Sequence, residues 1–372
     1  MSKLFSVLYE LGQKCITFAG IKTKNKPAPE AKQEYASKAD FEALKKRLVT
    51  NEMGIKLLRN GRHFIWANFD RMTTAQKVRY LSRRFYQNAG YYPNFKRPRS
   101  FNEKLCWLKF NYDDPVENIC SSKYEFKSWI KQRLGDGYTV PMIGVYDDLN
   151  DIDFDKLPEK FVIKTTSGWG GYGTLVVRDK SKLDIDRLKF DFAEYMQEWN
   201  NLYYAALTSS YKNVKHRVII EEYVEELEKS DCDFKFFCFH GKVKCFYVAN
   251  NFAVNKTHNT QTLTYYDLDG NPLPFNYGDY KNSDKKLENV ENLQKMIEIA
   301  ESIAQDFPFV RIDFYNLKDK LMLSEMTFRP GGGWGKYTPR EWDYKLGEYL
   351  DLSKLNPDLV KVLPEFQLES GE

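Results

Sequence analysis

Apolar residues recur at three- and four-residue steps through the first third of the chain, and largely at two-residue steps after it. Leu4, Leu8, Leu11, Cys15 and Phe18 share one side of a helix predicted over residues 3–19. Such a helix either lies on a membrane surface or packs on a neighbouring element. Lys22–Gln33, with its KTKNKPAPEAK composition, reads as a flexible linker, and helices are predicted over about Asp40–Leu58 and Thr74–Tyr86. After the proline-rich YYPNFKRPRS, the run FNEKLCWLKFNYDDP is helical until Pro115. Lys123–Leu134 continues as helix, and then the period changes. Pro141–Tyr146, Phe161–Lys164 and TLVVR read as strands, with a helix near Arg187–Trp199. VKHRVIIEEYVEE holds another strand, and DFKFFCFHGKVKCFYVAN is a hairpin turning at His240–Gly241. Thr264–Phe275 carries an Asp-Gly turn, and a helix over about Val290–Gln305 precedes a last hairpin within Val310–Gly333.

That last hairpin carries the most chemistry. With its turn centred on Lys318, Asp313 falls opposite Leu323 and Glu325 opposite Arg311, and alternation puts Arg311, Asp313, Glu325 and Thr327 on one face. The reading depends on register, because a one-residue slip would carry Glu325 to the other face. Two acids and an arginine beside the glycine-rich turn at 331–333 suit a metal and phosphate site. Upstream, FVIKTTSGWGGYG delivers Lys164 from a strand into a glycine-rich loop. Glycines let backbone N–H groups approach anionic oxygens, and the lysine adds a point charge. The spacing is neither that of a P-loop nor that of a dinucleotide-binding turn. VIIEEYVEE then leaves two readings open: a purine slot in which the Glu222 carbonyl and the Val224 amide meet the base edge, or a solvated acidic strand end.

Composition bounds these readings. The 372 residues suggest two lobes, or one large core with an extension, and 26 Phe, 25 Tyr and 7 Trp supply ample apolar surface. No run approaches the roughly 18 consecutive apolar residues of a membrane span, and no signal peptide is evident, so a soluble protein is expected. Six cysteines without a CxxC pair, and four histidines, point to reduced thiols in a cytosolic setting. The net charge of +4 hides an asymmetry: residues 1–100 hold 21 Lys/Arg against 7 Asp/Glu. The basic first third is either a solvated helical face or a surface for polyanions or membranes. Nucleic acid is not expected, since no recognition motif accompanies the charge.

The pieces in order are Lys123, the Lys164–Gly173 loop, the Glu221–Val224 segment, Asp233, and Asp313 with Glu325. This order resembles the ATP-grasp superfamily. FNEKLCWLKF, FVIKTTSGWGG, IIEEYVEE, DFKFFCFHGK, YYDLDGNPLPF, FPFVRIDFYN, SEMTFRPGGGWGK and EWDYKLG look like the ATP-grasp family named for teichuronopeptide biosynthesis, over roughly residues 95–350. The resemblance implies an α+β fold of two lobes gripping ATP, arranged as a basic helical extension (1–94), a linker lobe (95–160), a small lobe with the glycine loop (161–230) and a large lobe with the metal hairpin (231–372). It implies ATP and Mg²⁺. Lys123 and Lys164 would meet the α- and β-phosphates, and Ser167, Gly168, Gly170 and Gly171 would form the closing loop. Glu221, Glu222, Tyr223 and Val224 would hold adenine, and Asp233 the ribose, with Glu228 as a competitor. Asp313 and Glu325 would ligate Mg²⁺. Arg311 and Arg329 are the candidates for the acyl-transfer centre, and Lys235 and Lys256 for the γ-phosphate. Thr327 departs from the pattern, because many relatives carry Asn there as a further metal ligand. No general base for the amine stands out; His240 and His258 are the candidates, with a structural histidine as the alternative for each.

The implied reaction is carboxylate–amine ligation through an acyl phosphate. The expected substrates are a uronic acid of a capsule or cell-surface polysaccharide, or an activated sugar precursor, and a small amine. Trp169, Trp334 and Trp342 suit either sugar stacking or core packing. A glycosyltransferase and a catalytically impaired nucleotide-binding scaffold are the alternatives. A cytoplasmic location is expected, at the inner membrane face if the basic first third docks there.

Overall fold

A computed structural model describes residues 62–228, 233–250, 262–280, 282–317 and 320–367. The helices expected within residues 3–19 and 40–58, together with Lys256 and His258, lie outside the described residues. Among the described residues no helix is long and apolar enough to cross a membrane.

The chain runs through α1 (Arg62–Asn68), α2 (Thr74–Ala89), α3 (Phe101–Asn111), α4 (Pro115–Ser121) and α5 (Glu125–Leu134) before its first strand. Local chemistry sets these bounds. Thr73 with Gln76, and Ser100 with Glu103, form capping boxes at the starts of α2 and α3. Gly90, at φ 84°, stops α2 one turn beyond the expected end at Tyr86. Asp114 caps α4, with Pro115 in the first turn where its missing N–H costs nothing.

Two antiparallel sheets follow. The smaller contains β1 (Met142–Tyr146), β2 (Phe161–Thr165), β3 (Thr174–Val177) and β4 (Val218–Glu222), in spatial order β1-β4-β2-β3. One face buries Phe161, Ile163, Val218 and Ile220 beneath Leu188 and Phe192 of α6 (Ile185–Tyr195). Alternation turns Lys164 and Glu221 to the other face.

The larger sheet contains β5 (Asp233–Phe239), β6 (Lys242–Asn250), β7 (Thr262–Tyr266), β9 (Phe309–Leu317) and β10 (Lys320–Thr327), in order β10-β9-β5-β6-β7. A short ribbon pairs β8 (Asn276–Tyr277) with β11 (Tyr337–Thr338); α7 (Leu293–Ala304) precedes β9, and α8 (Glu341–Tyr349) follows β11. On one face of the large sheet Phe236, Phe246, Ile312, Phe314 and Met326 pack under Met296, Ile299 and Ile303 of α7. The opposite face has three zones. Phe237, Phe239, Tyr247, Tyr265 and Phe309 pack at one end against Phe101 and Leu105 of α3. Tyr315, Leu317 and Met322 join Val140, Val224 and Leu227 at the other. Charged groups occupy the middle.

The β9–β10 register differs from the expected one. Leu323 pairs with Phe314, a slip that by itself would turn Glu325 away from Asp313. A bulge at Ser324 absorbs one residue, so that Glu325 pairs with Asp313 and Thr327 with Arg311. The four residues share a face, as expected, through a different pairing.

Candidate functional site

The charged zone is a row of cross-strand partners. Glu325 lies opposite Asp313, Asp313 opposite Lys235, Lys235 opposite Tyr247, and Tyr247 opposite Tyr265. Lys235 Nζ reaches Asp313 at 2.8 Å and Asp233 at 2.7 Å. Arg311 donates twice to Asp313, both at 2.6 Å, and approaches Glu325 at 3.5 Å. Burial pushes both aspartates up. For Asp313 the opposing pull of Arg311 and Lys235 wins and holds it below the usual carboxylate range, whereas Asp233, with Lys235 as its main partner, stays raised. Burial depresses Lys235, but Asp233 and Asp313 outweigh it and keep the ammonium charged.

The small sheet supplies the facing wall. Glu221 is buried, with Lys127 at 2.5 Å on one oxygen and Lys164 at 2.6 Å on the other. Burial raises the Glu221 carboxyl, and the two lysines together pull it below its ordinary value. Lys123 joins the walls: its ammonium donates to the Gly168 carbonyl and lies 3.3 Å from Glu325. Between them the glycine loop turns at Gly170 and Gly171, both at positive φ, while an added Cβ on Gly173 would meet Thr165 Oγ1 at 2.3 Å. Ser167 is buried and shares a 2.9 Å hydrogen bond with His216 Nδ1.

Asp233, Lys235, Arg311, Asp313, Glu325 and Thr327 thus share one face of the large sheet, and Lys123 links Glu325 to Gly168 of the loop that follows Lys164 and Ser167 and turns at Gly170 and Gly171. Of the Glu221–Val224 segment, Glu221 holds the two lysines, Glu222 is exposed, Lys160 lies over the Tyr223 ring at 5.4 Å, and Val224 joins the apolar zone. The Glu228 side chain lies outside the described residues. Arg329 is not brought into the row. Its side chain is 0% exposed and meets Glu117 of α4 at 3.2 Å, so it ties that helix to the end of β10. His240 also stands elsewhere, in the β5–β6 turn at φ 47°, where Nε2 accepts from the Asp351 amide. Trp334 is buried under Lys109 at 4.1 Å, and Trp342 stacks on Phe275 at 4.9 Å, so packing accounts for both.

Sequence reasoning missed Lys127, His216 and the apolar zone of Val140, Tyr315, Leu317 and Met322. Lys127 had a signal, four residues after Lys123 and so on the same side of the chain. The apolar zone had none, because its members come from separate segments.

A family model described as TupA-like ATP-grasp matches residues 103–351. No curated protein sequence matches significantly. Among solved structures, D-alanine–D-alanine ligase from Bacillus anthracis complexed with ATP is 18% identical at TM-score 0.37, covering 61% of this chain and 63% of that one. The corresponding ligase from Helicobacter pylori is 17% identical at TM-score 0.38, covering 68% and 69%. D-cycloserine synthetase DcsG is 16% identical at TM-score 0.35, covering 64% and 72%. The matched region thus spans less than two thirds of the Bacillus anthracis ligase.

Proposed function

The chain belongs to the TupA-like ATP-grasp family, and from that premise we propose that it is an ATP-dependent carboxylate–amine ligase acting on a uronic acid of a bacterial surface polysaccharide or its precursor. The observation that carries the reading is Lys123 joining the paired acids of the large sheet to the glycine loop of the small one.

The residues suit MgATP. Asp313 and Glu325 are hard oxygen donors, and the buried Thr327 Oγ1 beside them has no hydrogen-bond partner. Among the described residues no three or more His, Cys, Asp or Glu gather as a metal site. Such a donor set fits Mg²⁺, which keeps waters and shares phosphate oxygens, better than a metal enclosed by protein alone. Bound there, Mg²⁺ would neutralise phosphate charge. Lys123, Lys164 and Lys235 would bind the phosphates, and the apolar zone of Val140, Val224, Leu317 and Met322 would take the base. Arg311, permanently charged, would stabilise the oxyanion formed when the amine attacks the acyl phosphate. Closure of the Ser167–Gly171 loop would exclude water from that phosphate.

The test is incubation of the full chain with ATP, Mg²⁺, a galacturonate- or glucuronate-containing glycan and a pool of amines. ADP and phosphate are expected in equal amounts, with one amide formed per ATP. Release of UDP from a UDP-sugar instead would establish glycosyl transfer, and ATP binding without turnover for any acceptor would establish the scaffold.

A further inference from the structure

Alternation along the β8–β11 ribbon gives it two unlike faces. On the inner face Tyr277 lies against the glycine turn, where an added Cβ on Gly331 would come within 2.0 Å of its hydroxyl and one on Gly335 within 2.2 Å of its ring. The Tyr277 ring lies 6.3 Å from that of Tyr265, which lies 4.9 Å from the Tyr247 ring beneath Arg311 at 6.0 Å, so this face adjoins the charged row. On the outer face Asn276 and its register partner Thr338 are exposed. They open onto a cleft of about 510 Å³, lined also by Asp279, Tyr280, Asn282 and Lys336.

We propose that this outer cleft binds a saccharide unit of the acceptor, next to the sugar whose carboxylate is activated; its place in the reaction rests on the ligase reading above. The lining chemistry selects the ligand class. Each sugar hydroxyl both donates and accepts, and the Asn276 amide and the Thr338 hydroxyl do the same. Asn282 is fixed in orientation, because Nδ2 donates to the carbonyls of Leu273 and Phe275, both at 3.0 Å. Its Oδ1 is left as a buried acceptor without a donor. Among the described lining residues Asp279 and Lys336 cancel in charge, so they offer a polyphosphate no basic cluster, and Tyr280 gives too little apolar wall for a lipid chain. Glycine at 331 and 335 lets Tyr277 close the inner side, and the ribbon thereby becomes a partition that an acceptor of more than one sugar would straddle.

The probes are galacturonate and trigalacturonate, titrated into the full chain with MgADP present and followed by calorimetry. The wild type is expected to bind the trimer about tenfold more tightly than the monomer, the worth of one or two well-placed hydrogen bonds. In Asn276→Ala/Thr338→Val, both surface positions, that preference should vanish while monomer binding persists. Equal affinity of the wild type for the two probes, absence of trimer binding, or an undiminished preference in the double variant would each overturn the proposal. MgATP binding by the wild type is measured in parallel with a fluorescent analogue. Its absence would remove the ligase reading, while the trimer preference and its loss in the variant would still decide the cleft.

Discussion

Glu325 is the site acid most open to solvent, and its two neighbours Lys123 and Arg311 stand 3.3 and 3.5 Å away. Asp313 is instead enclosed by Arg311 and Lys235. Replacing Glu325 by Gln keeps the shape and removes one hard anionic donor. Turnover should fall by about a hundredfold or more, because metal-assisted charge neutralisation contributes several kcal/mol. The melting temperature should move by about 2 °C or less, as for a partly exposed substitution. Full activity in a steady-state ADP-release assay would remove Glu325 from the metal site. Single residues were legible where their chemistry is local. Lys164 entering a glycine run, and two acids on a hairpin, can be read from spacing alone. His216, set against Ser167 by the path of the chain before β4, cannot, since nothing in its neighbours signals a partner 49 residues away.

At the level of elements, the hairpin shows how a correct outcome can rest on an unexpected register. Turn chemistry is legible, but a bulge at Ser324 depends on sheet twist and on the packing of Leu323 and Met326 below, which spacing does not encode. Deleting Ser324 removes only the extra residue, so Glu325 should stay opposite Asp313 and Thr327 opposite Arg311 in a regular ladder and nucleotide binding should persist, whereas loss of binding would show that the bulge itself shapes the site. Ser324→Ala should cost about 1 kcal/mol or less, since only a 3.3 Å bond to the Asp313 carbonyl is lost. Equilibrium denaturation and nucleotide titration of both variants test this. The α4–β10 joint gives a second prediction. Burial pushes Glu117 from 4.5 up to about 7 against the pull of Arg329. Between those values the folded protein holds a proton the unfolded chain has released, so this group's contribution to stability declines as pH rises through the window and levels off above it. Melts across that range should show a shallower decline for Glu117→Gln than for the wild type. Glu117→Ala, which strands a buried guanidinium, should cost about 3–5 kcal/mol, and Glu117→Met/Arg329→Leu much less. Equal losses for the two would show that the pair is not coupled.

Across the molecule, the described residues belong to one unit in which Lys123, set against the glycine loop of the small sheet, reaches Glu325 of the large one. The motif order made that plan legible. The helical layer was legible as helices, but not its use: α3 anchors the glycine turn, with Lys109 donating to the Gly332 carbonyl at 2.6 Å and Cys106 to that of Gly333. Such contacts bridge more than 200 positions and leave no periodic trace. The row of acids and bases has a further, kinetic meaning. Asp233, Asp313 and Glu325 are matched by Lys123, Lys235 and Arg311, so the cluster is close to self-neutralised before any ligand arrives. Such a cluster exerts little pull at distances beyond the Debye length of about 10 Å at 0.1 M salt. Nucleotide capture would then exchange one set of ion partners for another at short range, with diffusion little guided by this cluster. Stopped-flow association of a fluorescent ATP analogue with a chain lacking residues 1–59 should change by less than about threefold between 50 and 300 mM salt, while a steep dependence would show that the cluster attracts from afar.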